Sequence, residues 1–446
     1  MRTLVLCGLV TGCTANADQV RPPDDELFFP TGVVVAESQG VAFVANANSE
    51  LRYDSGAITV LDLDSVDQVT AAWNATREIP AGDLNNDGET DCLQDPDHAE
   101  TLICEEHRFI RQGAGVRIGN FATDIALQDL GSNMLRLIVP TRGDPSIAWA
   151  DWDGGALNCN PSGDPNALCD DEHRLSFVQN NADLSGIPDE PFAAYADSIG
   201  EFAVVTHLTS GAVTLIDSPK NGPVQVADVL AGVFAADPAT GVRGATGVVG
   251  RPSSTAGIVY VGSRSEDRIQ TFTVGRPVNA APPYLLPGNW FFLDAVGGNT
   301  GGASDTRGMA FNPDGSRLYL VNRRPPSLQV YDTSIGPTGF PRNDGLGATD
   351  ICRQASTVAI SGSGDAERAY VTCFQDGQLY IIDPRGNVEL EDIVLVGRGP
   401  YAAAAASTRN KLFVTNFLED TIAVIDIAPS SSTRNRVVLK LGKAAN

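Results

Sequence analysis

Lysine is almost missing from this chain of 446 residues: Lys220, Lys411, Lys440 and Lys443 are the only four. Counting arginine, 31 basic residues face 55 acidic ones, for a formal net charge of −24. Nucleic acids are held by basic faces that release counterions, so this balance speaks against them as partners. An acidic exterior favours solubility and divalent cations instead. Histidine is equally scarce, with His98, His107, His173 and His207 making up the full set, which leaves few candidates for general acid–base chemistry. Cys-x-x-Cys and Cys-x-x-Cys-His do not occur, removing thioredoxin-like and c-type haem signals. Nucleophile-elbow serines, phosphate loops and His-Glu-x-x-His zinc motifs are absent too. Nothing in these gaps compels an enzyme.

Gly (45) and Pro (27) are plentiful, while hydrophobic residues make up 42% and charged ones only 19%. That composition suits many short strands joined by turns better than long amphipathic helices. At the N-terminus a single Arg2 precedes a short apolar run from Thr3 to Gly12, too short to span a bilayer. Val10-Thr11-Gly12-Cys13 resembles a bacterial lipobox, which implies that residues 1–12 are an export signal and that Cys13 is diacylated. Thr14, rather than aspartate, follows Cys13, resembling outer-membrane sorting, on the periplasmic side or the cell surface. Residues 13–28 then read as a polar tether, the only link to a membrane. Apart from Cys7 and Cys13, six cysteines remain. In an oxidising compartment their spacing predicts local disulfides, Cys92 with Cys104, Cys159 with Cys169 and Cys352 with Cys373.

An internal repeat organises the remainder. Leu318–Asn322 with Leu328–Asp332, Ala369–Cys373 with Leu379–Asp383, and Leu412–Asn416 with Ile422–Asp426 align without gaps, ten positions separating the two strand ends. The same step runs from Thr141 to Asp151, from His207 to Asp217 and from Ser263 to Thr273, and a stretched copy runs from Asn46 to Asp62. Small apolar residues precede each pair, and where it is readable a fourth apolar strand follows, as in Ile393–Gly397. Seven units of four antiparallel strands predict an all-β, seven-bladed propeller over residues 29–446, with insertions at about 72–106 and 152–172. Small residues belong on the inner strand, where the blades crowd the channel.

Tyr370-Val-Thr-Cys373, Phe413-Val-Thr-Asn416 and Phe43-Val-Ala-Asn46, each followed by a Val-Ile-Asp-like strand end, resemble the YVTN family of β-propeller repeats. The resemblance covers about Phe29 to Leu441. It implies the propeller fold but little about function, since such repeats serve surface proteins, binding modules and a few enzymes.

Propeller geometry sorts side chains to two faces. Loops after second strands share one face with the entries to inner strands, and this face collects Arg142, Arg264, Arg307, Arg323, Arg353 and Arg398. A ring of guanidinium groups on an acidic protein would select a carboxylate, a phosphate or an acidic glycan. The competing assignment pairs these arginines with the strand-end Asp151, Asp332 and Asp426. On the opposite face, the insertions Cys92…Cys104-Glu-Glu-His107 and Cys159…Cys169-Asp-Asp-Glu-His173 are read as salt-bridged, disulfide-tied loops, with His107 and His173 as metal ligands in the functional alternative. Asp83, Asn85, Asp87, Glu89 and Asp91, with Gly88 at the turn, resemble a calcium loop and imply a structural Ca²⁺, although Gln94 stands where a bidentate acid is expected.

The expected function is therefore a lipid-anchored, monomeric, non-enzymatic binding scaffold for an envelope protein, peptide or acidic glycan. The alternative is a lactonase-like hydrolase, since the 6-phosphogluconolactonase-like enzymes are similar propellers. In that case His207 and neighbouring arginines would polarise a lactone carbonyl at the channel mouth.

Overall fold

The computed structural model describes residues 20–442, except 86–87, 89, 161–166, 178–185, 253–256, 279–281 and 294–303. Cys13 and the lipobox therefore lie outside the described residues. Seven sheets follow one another along the chain, each with four antiparallel strands in sequence order from the axis outward. Their inner strands are Pro30–Ala36, Ala126–Gly131, Pro191–Asp197, Ala245–Gly250, Thr306–Phe311, Ala355–Ser361 and Pro400–Ala406. Second and third strands are almost wholly buried, as in Val41–Asn46 and Thr421–Asp426, because each sheet is covered by a neighbour on both sides. Outer strands such as Glu389–Leu395 are largely exposed.

Glycine on the inner strand has a specific cause. A Cβ on Gly247 would stand 2.1 Å from the Arg307 carbonyl oxygen, and one on Gly308 would stand 2.5 Å from the Thr357 Cα. Adjacent inner strands thus touch backbone to backbone, which no larger residue permits.

The repeat also carries a bulge. In blades 3 to 7 the inner strand places two residues opposite one of the second strand, as Phe192 and Ala193 opposite Thr206, or Tyr401 and Ala402 opposite Thr415. Blade 1 inserts Thr31 at the same level, and blade 2, between the pairs Ala122–Thr141 and Ala126–Ile138, sets three residues opposite two. Bulges bend a strand and re-aim its side chains; here they do so at the end of the channel where the inner strands begin.

The threonine of the repeat stabilises that irregularity. Thr206, Thr372 and Thr415 accept from the backbone N–H groups of Ala193, Thr357 and Ala402 at 3.2, 3.0 and 3.0 Å. Thr206 and Thr372 then donate to the carbonyls of Thr246 and Tyr401 in the next blade, at 2.8 and 3.2 Å. The asparagine that follows reaches the third strand, Asn46 to Thr59 at 2.8 Å and Asn416 to Thr421 at 3.1 Å.

Between Asp62 and Val116, the first insertion forms the helix Leu63–Thr76 and a two-stranded ribbon, Cys92–Gln94 with Leu102–Cys104. Asp62 caps the helix by accepting from Ser65 N–H at 2.9 Å. Leu63, Val66 and Trp73 form its buried face. The ribbon does not stay with its own blade. Leu102–Cys104 runs parallel to Arg436–Leu441, the outer strand of blade 7, extending that sheet to six strands and joining the two ends of the ring. The expected disulfides are all present, at S–S distances of 2.04, 1.94 and 2.01 Å. In blade 2, Leu157–Asn158 and Arg174–Leu175 both pair with the third strand, Ser146–Trp152, on either side of the second insertion. No helix among the described residues is long and apolar enough to cross a membrane.

Candidate ligand site at the channel mouth

A cavity of about 370 Å³ opens where the inner strands begin. Its wall is made by the bulge residues themselves: Thr31, Asp124, Phe192, Thr246, Arg307, Ser356 and Tyr401 come from seven successive blades. Arg142, just after its second strand, and Arg323, at the end of its own, lean over it. Of the six expected arginines, then, Arg142, Arg307 and Arg323 converge. Arg264 stacks its alkyl stem against Gly244 beside the cavity. Arg353 is exposed, and Arg398, 64% exposed, lies 3.8 Å from Glu419 outside the lining.

These arginines differ in what neutralises them. Arg142 pairs with Glu190. Arg307 lies 2.9 Å from Asp305 and over the Phe192 ring at 5.7 Å. Arg323 donates to the Ala355 carbonyl at 2.5 Å and to Ser356 Oγ at 3.4 Å, and among the described residues no carboxylate lies within 4.0 Å of it. Burial and the neighbouring Arg307 bring its pKa down to about 10, so it remains a cation at neutral pH. The strand-end aspartates are occupied on the other face, Asp151 by Arg136 at 2.7 Å and Asp426 by Thr433 at 2.7 Å, while Asp332 stands 4.0 Å from Arg342. Third strands run away from the mouth, so their ends cannot reach these arginines.

Sequence reasoning missed Asp124, Tyr401 and the aromatic wall. Asp124 accepts backbone N–H bonds from Ile125 at 2.8 Å and Ala194 at 3.0 Å, has no cation within 4.0 Å among the described residues, and is raised by burial to about 6. Burial also raises Tyr401, whose ring lies 6.3 Å from Phe374 and 6.1 Å from Phe417. The available signal was weak: Asp124 is the third residue of Ala122–Leu127 and Tyr401 the first of Tyr401–Ala406, segments read only as small and apolar.

His207 lies outside the lining. It is 0% exposed, with Nδ1 3.1 Å from the Asp189 carbonyl and Nε2 2.8 Å from Thr214 Oγ1. It thus fills the place that Asn46 and Asn416 fill in their blades, and burial holds its pKa down to about 4.

No protein-family model matches the chain, and no curated protein matches it. Solved structures do. A putative 6-phosphogluconolactonase from Bacteroides fragilis is 13% identical, with 95% of this chain and 99% of that one covered at a TM-score of 0.56. The periplasmic gluconolactonase of Pseudomonas aeruginosa is 16% identical over 83% of this chain and 86% of its own, at 0.52. The β-propeller domain of Swd1 from Myceliophteria thermophila is 9% identical, covering 92% and 98%, at 0.54. At these identities the likeness establishes the propeller fold alone.

The propeller's other expected site lies at the base of the ribbon. Asp83 accepts from Gly88 N–H at 2.8 Å, and Asn85 donates to Glu105 at 2.9 Å. Asp91 accepts from Leu84 N–H at 3.0 Å and from Arg108 at 2.7 Å. Asp87 and Glu89, also expected as calcium ligands, lie outside the described residues. His107 is 3.4 Å from Asp91 and 3.3 Å from Glu105. His173 meets Asp170 at 2.7 Å and stacks on Trp149, 4.0 Å between rings.

Proposed function

We propose that this propeller is an envelope binding protein, tethered through a lipidated Cys13, whose channel mouth captures the acidic end of a hydroxyl-bearing ligand such as an acidic glycan. The observation that carries the reading is Arg323, a guanidinium that faces the cavity and whose hydrogen bonds go only to neutral oxygens. A cation kept partly out of water without a carboxylate is costly, and an anionic ligand offsets that cost through charge-assisted hydrogen bonds. Arg142 and Arg307 stand beside it in the same lining, each paired with a carboxylate. Asp124 supplies an acceptor for a ligand hydroxyl, while Phe192, Phe374 and Tyr401 offer ring faces to a sugar. The shape is concave and small, which favours one glycan terminus or acidic side chain over a flat protein surface.

Calorimetry with glucuronate, galacturonate and inorganic phosphate tests the site. Binding of a uronate that falls at least tenfold in Arg323→Ala supports it, because a lost charged hydrogen bond costs about 1.5–3 kcal/mol. Equal affinity in the variant removes Arg323 from the site. Incorporation of labelled fatty acid that persists in Cys13→Ala would remove the anchor.

Asp124 favours a second reading. A carboxylate raised to about 6, lining the same cavity as Arg323, is equipped to activate water against a lactone carbonyl polarised by that guanidinium. Two similar structures carry lactonase names, which motivates the assay without establishing the activity. Turnover of glucono-δ-lactone that Asp124→Asn abolishes would favour hydrolysis; no turnover by the folded protein would discard it.

A further inference from the structure

The ribbon that joins blade 1 to blade 7 ends on a group of three unlike donors. Cys92 faces Cys104 in register, so Asp91 and Glu105 occupy the next rung, linked by a Glu105 N–H bond to the Asp91 carbonyl of 2.8 Å. His107 follows two residues later. One ligand atom from each of Asp91, Glu105 and His107 lies within 4.8 Å of the others.

Three features separate this group from an ordinary surface ion network. Asp91 is 1% exposed, and the His107 side chain 11%. The Nε2 of His107 is buried and has no hydrogen-bond partner, although Asp91 Oδ1 stands 3.4 Å away; Glu105 Oε2 stands 3.3 Å from the other ring nitrogen, Nδ1, so it must swing along the imidazole edge to share an ion held on Nε2. A buried imidazole nitrogen beside a carboxylate it does not bond is an unsatisfied ligand atom. Two ligand atoms bound to one metal at about 2.1 Å and a near-tetrahedral angle stand about 3.4 Å apart, the separation seen here. Arg108 meanwhile takes the other carboxylate oxygen, Oδ2, at 2.7 Å, fixing the carboxylate as an outer hydrogen-bond partner fixes a metal ligand.

We infer that Asp91, Glu105 and His107 form a binding site for a zinc-class transition-metal ion, which locks the ring-closing ribbon. Imidazole with two carboxylates is a borderline donor set, suited to Zn²⁺ rather than to Ca²⁺, whose ligands are oxygens. A cavity of about 590 Å³ lined by Asn85, His107 and Gln112 gives the ion a path and room for water as a fourth ligand. Because Asp91 and Glu105 lie on the two strands of the ribbon, the ion would tie them beside the Cys92–Cys104 bridge. Binding only to the folded chain then stabilises the seal.

The experiment uses the full chain, stripped with chelator and titrated with Zn²⁺ against a chromophoric competitor. One equivalent should bind to the wild type and to His173→Gln, whereas His107→Gln should lose affinity at least tenfold. Zn²⁺ should raise the melting temperature of the wild type by a few degrees and leave that of His107→Gln unmoved. If His107→Gln fails to fold by circular dichroism, Glu105→Gln takes its place, with the same expected loss. The inference falls if the folded wild type binds no Zn²⁺, if both variants bind as wild type does, or if only Ca²⁺ is bound, which would point to the Asp83 loop instead.

Discussion

Arg52 and Asp420 stand 368 residues apart and form an ion pair of 2.8 Å between the first blade and the last. Asp420 also accepts from Phe29 N–H at 2.7 Å, where the chain enters its first strand. On the outer side, Thr101 donates to the Val437 carbonyl at 2.7 Å and Lys411 meets Asp67 of the helix at 2.6 Å. The ring is closed by several independent contacts at different radii, among them the strand Leu102–Cys104 that the first blade's insertion adds to the last blade's sheet.

Leu102 should carry the largest single share of this seal. It is fully buried in a cluster with Trp73, Val424, Leu439 and Leu441. Leu102→Ala should destabilise the propeller by about 2–5 kcal/mol, whereas Asp420→Ala should cost roughly 1–3 kcal/mol through its two lost bonds. Urea unfolding curves measure both, and an unchanged midpoint for Leu102→Ala would mean that the ribbon is not part of the seal.

His207 should behave as a structural group. His207→Asn should fold, since asparagine fills this place in other blades, while His207→Ala should lose about 1–3 kcal/mol by leaving Thr214 and the Asp189 carbonyl without their partner. Its pKa is held down to about 4 in the folded state against 6.5 unfolded, so the unfolded chain binds more protons between these values. This contribution to stability is present above pH 6.5 and is lost as pH falls toward 4, by about 1.4 kcal/mol per pH unit. Glu106 and Asp124, raised to about 7 and about 6, act in the opposite sense over part of that range. The difference between wild type and His207→Asn isolates the histidine, and a flat difference would contradict the assignment.

Anion binding at the mouth should strengthen as Asp124 takes up a proton. With a pKa raised to about 6, this carboxylate repels an anion above that pH and ceases to do so below it. A uronate titrated from pH 8 to pH 5 should therefore bind more tightly at the acidic end. For Asp124→Asn the profile should be flat over the same span. A wild-type affinity that weakens on acidification would place the anion away from Asp124.

Gly247→Ala tests the contact between inner strands. A Cβ there meets the backbone oxygen of Arg307, which cannot rotate away, so blades 4 and 5 must part and Arg307 must move. The expected cost is about 1–3 kcal/mol, together with weaker anion binding. Unchanged affinity and stability would show that the blades tolerate a wider spacing.

The sequence by itself determined the number of blades, the strand order and the cystine pairs. These follow from local information: alternation along Tyr370–Cys373 or Phe413–Asn416, a fixed step to the next strand, and cysteines close in the chain. It also placed Arg142, Arg307 and Arg323 on one face, because strand direction fixes the face of every loop. Only the tertiary structure decided what those residues meet. Asp124 and Tyr401 look like incidental members of an apolar segment until seven bulges turn toward one axis, and His207 looks like a mouth residue until packing buries it against Thr214. The path of Leu102–Cys104 to blade 7 was likewise invisible, since nothing in a strand of three residues names a partner more than 300 positions away. Periodicity is a property of neighbours along the chain, whereas convergence at the axis and closure of the ring arise only when every blade is in place.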